Sequence, residues 1–154
     1  MAYGYFLVVY VAAWLVLMLT MGALHHPWPA QVSGMDLLIL SLATFRLTEI
    51  ISEEKIARCL RAPFCQPRTV TGPNGKVSEE EVPTGTGLRR MVGELILCPW
   101  CAGVWIATLV TFFWLLAPAF ARVVMLAFGV AAGGVLFQIA AKLMDRTRKA
   151  IPEE

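Results

Sequence analysis

The stretch Glu94-Leu95-Ile96-Leu97-Cys98-Pro99-Trp100-Cys101-Ala102-Gly103-Val104-Trp105 is where a charged segment ends and an uncharged apolar run begins. Proline suits the first position of a helix, where its missing N–H would have had no partner. Pro99 therefore predicts a helix start, with Cys98 as the cap before it. No residue from Pro99 to Leu116 is charged. As a helix this run is about 27 Å long, close to the thickness of a hydrocarbon core. Gly103, Ala107 and Thr111 recur every four residues and form a small-residue stripe for close helix packing.

The rest of the chain repeats this alternation of blocks. Only 16% of the 154 residues are charged, against about 25% in a typical soluble domain, and the mean hydropathy is +0.66. Past the Leu116-Ala117-Pro118-Ala119 break, residues 119–143 form another apolar run. Its Gly129 and Gly133 have the GxxxG spacing, which serves either dimerisation or packing within the chain. Residues 3–24 carry no charge, lack the basic n-region of a signal peptide, and are followed by no A-x-A site. Tyr3, Tyr5 and Trp28 lie near the ends of that run, as interfacial aromatics do. His25-His26-Pro27-Trp28-Pro29 reads as a solvated connection, because no further histidine exists to complete a metal site. Residues 35–51 are a shorter run, with Asp36 at the start and Arg46 and Glu49 inside. Arg46 is expected either to snorkel to the headgroups or to pair with a carboxylate. Glu49 is the local candidate and Glu94 the tertiary one, and Arg46 is expected to approach Glu94.

Residues 52–97 are the long polar segment. Ser52 to Arg61 reads as a short amphipathic helix, with Ile56 and Leu60 on one side and Lys55, Arg58 and Arg61 turned to lipid headgroups. Arg68 to Ser78 places β-branched runs about Pro73-Asn74-Gly75, a hairpin signal. Glu79-Glu80-Glu81 reads as a solvated face. Leu88, Met91, Val92, Leu95 and Ile96 share one helical face, with Arg89, Arg90, Gly93 and Glu94 off it.

Of the 13 Lys and Arg, seven lie in 52–97 and four in 142–149. Both regions are therefore expected on the cytoplasmic side. The resulting expectation is an all-α integral membrane protein of the cell (inner) membrane, a single multi-pass domain over 1–154. It has four transmembrane helices (3–24, 35–51, 99–116 and 119–143) and both termini cytoplasmic. Its cytoplasmic loop, 52–97, carries the amphipathic helix and the β-hairpin.

The four cysteines, Cys59, Cys65, Cys98 and Cys101, then face a reducing compartment, where structural disulfides are rare. A redox reading rests on Cys98 at a helix N-terminus, where free amides favour a thiolate, with Cys101 one turn on. The sequence lacks the βαβ pattern that usually accompanies such a pair. A zinc reading takes all four thiolates, although five residues separate Cys59 from Cys65. The third reading is of buried small thiols that pack.

The ordered blocks Leu42-Ala43-Thr44-Phe45-Arg46-Leu47-Thr48-Glu49-Ile50-Ile51, Arg61-Ala62-Pro63-Phe64, Thr86-Gly87-Leu88-Arg89-Arg90 and Gly93 through Trp105 carry a resemblance. Over about 36–140 the chain resembles an uncharacterised family of small bacterial and phage membrane proteins that includes the YjcA sporulation protein. The resemblance implies Arg46, Glu94, Cys98, Cys101, Gly103 and Trp105 as the structural or functional positions. Cys59 and Cys65 lie outside its pattern, which weighs against the four-thiolate zinc site. It implies no reaction.

The function expected is that of a non-enzymatic scaffold or envelope component working through partners. Those are the lipid bilayer, and self or another membrane protein. No Ser-His-Asp set, phosphate loop or paired inward carboxylates mark an enzyme, and no cofactor is expected outside the zinc alternative. The basic residues are assigned to topology and lipid rather than nucleic acid. The rival functions are a phage holin-like or lysis accessory protein, and a thiol-redox or zinc-binding protein using Cys98 and Cys101.

Overall fold

The computed structural model describes residues 2–23, 32–71 and 77–150. The readings of His25, His26, Trp28 and the Pro73-Asn74-Gly75 turn fall outside those residues, as do the side chains of Tyr3 and Tyr5. The helices are α1 (Ala2–Ala23), α2 (Gly34–Ser52), α3 (Arg58–Arg61), α4 (Leu88–Ile96), α5 (Pro99–Leu116) and α6 (Pro118–Ala150). A 3₁₀ turn, Lys55–Ala57, leads into α3, and the strands β1 (Cys65–Thr71) and β2 (Val77–Pro83) lie between α3 and α4.

Helix α2 is the hub, packed against both α5 and α6. It starts with a reciprocal cap: Asp36 N–H donates to Ser33 Oγ at 3.2 Å, and Ser33 N–H donates to Asp36 Oδ2 at 3.3 Å. Two of the unpaired amides of a helix start are satisfied in this way. Ala43, Ala102, Ile106, Val110 and Met125 form the core, flanked by Ile39, Leu47, Phe113 and Phe128. On α6 the buried positions are Ala121, Met125, Gly129 and Ala132, a stripe that recurs at helical spacing. Small residues in that stripe let the backbones approach: a Cβ on Gly129 would lie 3.7 Å from the Ile39 carbonyl oxygen of α2. Half of the GxxxG spacing is thus used within the chain. Helix α1 joins through rings, with Tyr10 edge-on to Trp105 at 5.4 Å and Trp14 tilted against Phe112 at 6.3 Å.

The expectation of four transmembrane helices is corrected. Among the described residues two helices are long and apolar enough to cross a membrane, Pro99–Leu116 and Pro118–Thr147. Helix α2 carries Asp36, Arg46 and Glu49 within 19 residues, and each charge is costly in hydrocarbon. The described apolar part of α1, Leu7–Ala23, is shorter than the roughly 20 residues a span needs. Charge asymmetry does not distinguish two crossings from four: a helix pair that crosses and returns leaves 52–97 and 142–149 on one side in either case.

The hairpin is present and longer than its sequence signal, running antiparallel from Cys65↔Pro83 to Thr71↔Val77. Alternation along the strands puts Cys65, Pro67, Glu79 and Glu81 on one face. The amphipathic segment is split between the 3₁₀ turn and α3, and it departs from expectation at Arg61. Ile56 and Leu60 stand exposed, whereas Arg61 is buried at 3% exposure. A two-point bond to the Glu81 carboxylate and one to the Ile51 carbonyl oxygen near the end of α2 hold that guanidinium. Gly87, at φ 59°, takes a left-handed conformation that few side chains allow and turns the chain into α4. Gly93 belongs to the packed side of α4, not the open one: a Cβ there would meet the Phe64 carbonyl oxygen at 2.7 Å.

Candidate functional site

The junction of α4 and α5 holds the Cys98–Cys101 pair. Helix α4 ends at Ile96, and Cys98 takes an extended conformation (φ −100°, ψ 101°) as the N-cap of α5. Pro99 in the first turn has no N–H to offer, and the cap sulfur faces the amide at the third helical position, as N-cap side chains do. Cys101 N–H lies 3.4 Å from Cys98 Sγ, and the two sulfurs are 2.7 Å apart. The Cys101 thiol, and then the Cys101 amide, hold the Cys98 thiol below its ordinary pKa. Cys101 is exposed, Cys98 half-buried, and Trp100 between them 90% exposed. What this arrangement offers chemically is an open, polarised dithiol.

The other cysteines do not join it. Cys59 is exposed on α3, and its Sγ lies 3.7 Å from the Ile56 carbonyl oxygen. Cys65 is buried at the start of β1, and burial pushes its thiol up. Among the described residues no group of three or more His, Cys, Asp or Glu is placed to hold a metal ion. The four-thiolate zinc alternative is therefore not assembled: the hairpin and α3 hold Cys59 and Cys65 apart from the α5 cap.

Arg46 and Glu94 do not pair. Arg46 Nη1 donates to Glu49 Oε2 at 2.7 Å, one helical turn along, and also reaches Glu54 Oε1. Glu94 takes Arg90 Nε at 3.0 Å on the exposed side of α4. Each charge finds a partner on its own segment, which needs no tertiary alignment. Trp105 packs edge-on against Tyr10 and so joins α5 to α1.

Gly103 faces α2, where an added Cβ would meet Thr48 Oγ1 at 3.7 Å, ordinary contact. Gly103→Ala is therefore expected to shift stability by no more than about 1 kcal/mol, the size of the helix-propensity gain. Thermal unfolding of the detergent-solubilised chain checks this, and a large loss would mean a tighter α2–α5 groove.

One cluster lies outside the positions that the sequence reading singled out. Arg61 Nε and Nη2 donate to Glu81 Oε2 at 2.6 Å and Oε1 at 3.2 Å, while Nη1 donates to the Ile51 carbonyl oxygen at 2.8 Å. Arg58 Nε adds a bond to Glu81 Oε1 at 3.0 Å. Arg61, then Arg58, hold the Glu81 carboxyl below the usual carboxylate range, against the opposing effect of burial. Arg61 thereby ties the last turn of α2 to β2. Counting back from the expected turn would have put Glu81 opposite Pro67, on the face of Cys65, and marked it as inward.

Residues 39–141 match a family model described as a protein of unknown function (DUF1360). The UPF0713 protein YngL of Bacillus subtilis (strain 168) is 31% identical over 119 residues, 75% of this chain and 88% of that protein. The sporulation protein YjcA of the same organism is 37% identical over 76 residues, 49% of this chain and 64% of that protein, less than two thirds of its length. No solved structure matches the chain to significance.

Proposed function

The chain belongs to the DUF1360 family, proteins of unknown function, and we propose that it is a non-enzymatic membrane protein. In this reading α5 and α6 anchor it, and the unit formed by α3, the hairpin and α4 is displayed at the membrane surface to dock partners. The observation that carries the reading is the exposure of the two apolar helices. A core helix of a soluble protein is mostly buried, yet only 28% of the residues of α5 and 17% of those in an apolar 18-residue stretch of α6 are buried. Leu109, Val123, Val130 and Phe137 stand open. A contiguous apolar surface of this kind is unfavourable in water and neutral in lipid. The basic residues of 52–97 and of 142–149 lie at the two outer ends of this helix pair, which supports a cytoplasmic position for both. Exposed Ile56 on the 3₁₀ turn and Leu60 on α3 add apolar contacts for the headgroup boundary.

Two measurements test the reading. Alkaline carbonate treatment of membranes from expressing cells should leave the protein in the pellet; release into the supernatant overturns it. A membrane-impermeant maleimide added to intact cells should leave the exposed Cys59 unmodified and react with it after lysis. Labelling in intact cells overturns the orientation.

A further inference from the structure

We propose that Cys98 and Cys101 form a thiol–disulfide exchange site that reacts with accessible disulfides. Three features carry this beyond a docking role. The sulfurs lie 2.7 Å apart, so the two thiols are already side by side. Cys98 has the N-cap position, where the Cys101 amide faces its sulfur and supports a negative charge. Exposed Cys101 and Trp100 leave the pair open to a reactant. Buried Cys65 and Cys59, which is exposed on α3, do not share this environment. The lowered pKa of the Cys98 thiol, held down by the Cys101 thiol and amide, agrees with the geometry.

The chemistry balances with the disulfide as the two-electron oxidant. Cys98 gives its proton to solvent, and its thiolate attacks one sulfur of R–S–S–R′. A Cys98–S–S–R bond forms, the R–S–S–R′ bond breaks, and R′S⁻ leaves and takes up a proton. Cys101 then loses its proton and attacks Cys98 Sγ. The Cys98–Cys101 bond forms, and RS⁻ leaves and is protonated. The net change is two protein thiols plus one disulfide going to one protein disulfide plus two thiols. On the reducing side of a membrane such a bond is transient, which suits sensing or exchange rather than structure.

The test uses the full chain in detergent micelles with oxidised glutathione, read by peptide mass mapping. The expected result is a Cys98–Cys101 linked peptide two hydrogens lighter than the dithiol form, reversed by reduced glutathione. Cys101→Ser should trap a glutathione adduct on Cys98 that the native chain resolves. Cys98→Ser should lose the linked peptide altogether. Serine is a good N-cap, so that variant keeps the start of α5, and Cys101 is exposed enough for its replacement to leave packing intact. If Cys59 gains a glutathione adduct while Cys98 and Cys101 stay unlinked, the proposal is overturned. It is equally overturned if Cys101→Ser traps no adduct on Cys98. Neither result bears on membrane anchoring, which the carbonate experiment decides separately.

Discussion

Arg61→Ala is expected to open the surface unit while leaving the α2–α5–α6 bundle in place. The guanidinium has a 4% exposed side chain and makes a two-point bond to Glu81, itself 14% exposed. Removing one partner of a buried pair typically costs about 3–5 kcal/mol, because the other charge stays in low dielectric. Arg58 still reaches Glu81 at 3.0 Å, which favours the lower end of that range. A loss of ~3 kcal/mol corresponds to roughly a hundredfold faster hydrogen exchange where exchange follows opening. The acceleration should appear in β1 and β2 and be absent from the middle of α5. Arg58→Ala is the control: its side chain is 46% exposed, and exposed ion pairs are worth about 0–1 kcal/mol.

Acid gives an independent readout of the same contact. The Glu81 carboxyl is held below its unfolded value. Its contribution is therefore complete above the unfolded carboxylate pKa, about 4.3, and disappears as pH falls through the lower, folded value. Hairpin protection, corrected for intrinsic exchange, should be level between neutral pH and pH ~5.5 and then fall in stronger acid. Arg61→Ala should blunt that fall. Arg61→Met with Glu81→Leu removes both charges and should recover part of the loss, since an apolar pair of similar size often replaces a buried ion pair without penalty. An additive double mutant would show that the two side chains are not coupled.

Gly93→Ala should destabilise the chain although it places a better helix former inside α4. The propensity gain is about 1 kcal/mol. Against it, the new Cβ would stand 2.7 Å from the Phe64 carbonyl oxygen and 3.0 Å from Pro83 Cβ. Neither can swing aside: one is backbone that already accepts Thr84 N–H at 2.8 Å, the other a ring fixed at the end of β2. Overpacking of this kind costs about 1–3 kcal/mol, and here the clash exceeds the propensity gain. Gly93→Leu should do worse and detach α4 from the hairpin. Gly133→Ala on α6 meets nothing within 4 Å and should be tolerated. Unfolding of the three variants in one detergent ranks them; Gly93→Ala as stable as Gly133→Ala would mean that α4 shifts freely.

The helix start at Pro99 and the hairpin were legible because each rests on neighbours in the chain, and the local Arg46–Glu49 pair was among the alternatives for the same reason. A cap, a turn flanked by strands and an i,i+3 ion pair are local physics. The span count was not legible. Counting charges by loop cannot separate two crossings from four, and α2, apolar at first sight, carries three charges. Arg61 and Arg58 look alike as letters, three residues apart on one short helix. One is buried and the other half-exposed because the hairpin folds over only one side.

The Cys98-Pro99-Trp100-Cys101 stretch belongs to both kinds. Sequence alone determined the cap position of Cys98 and the one-turn offset of Cys101, since proline and helix periodicity set both. Folding decided the company the pair keeps. Cys59 and Cys65 are held elsewhere by α3 and β1, and Glu94 turns to Arg90 instead of Arg46. Long-range contacts depend on how elements dock, and docking is governed by shape and burial summed over the chain, which no single spacing encodes.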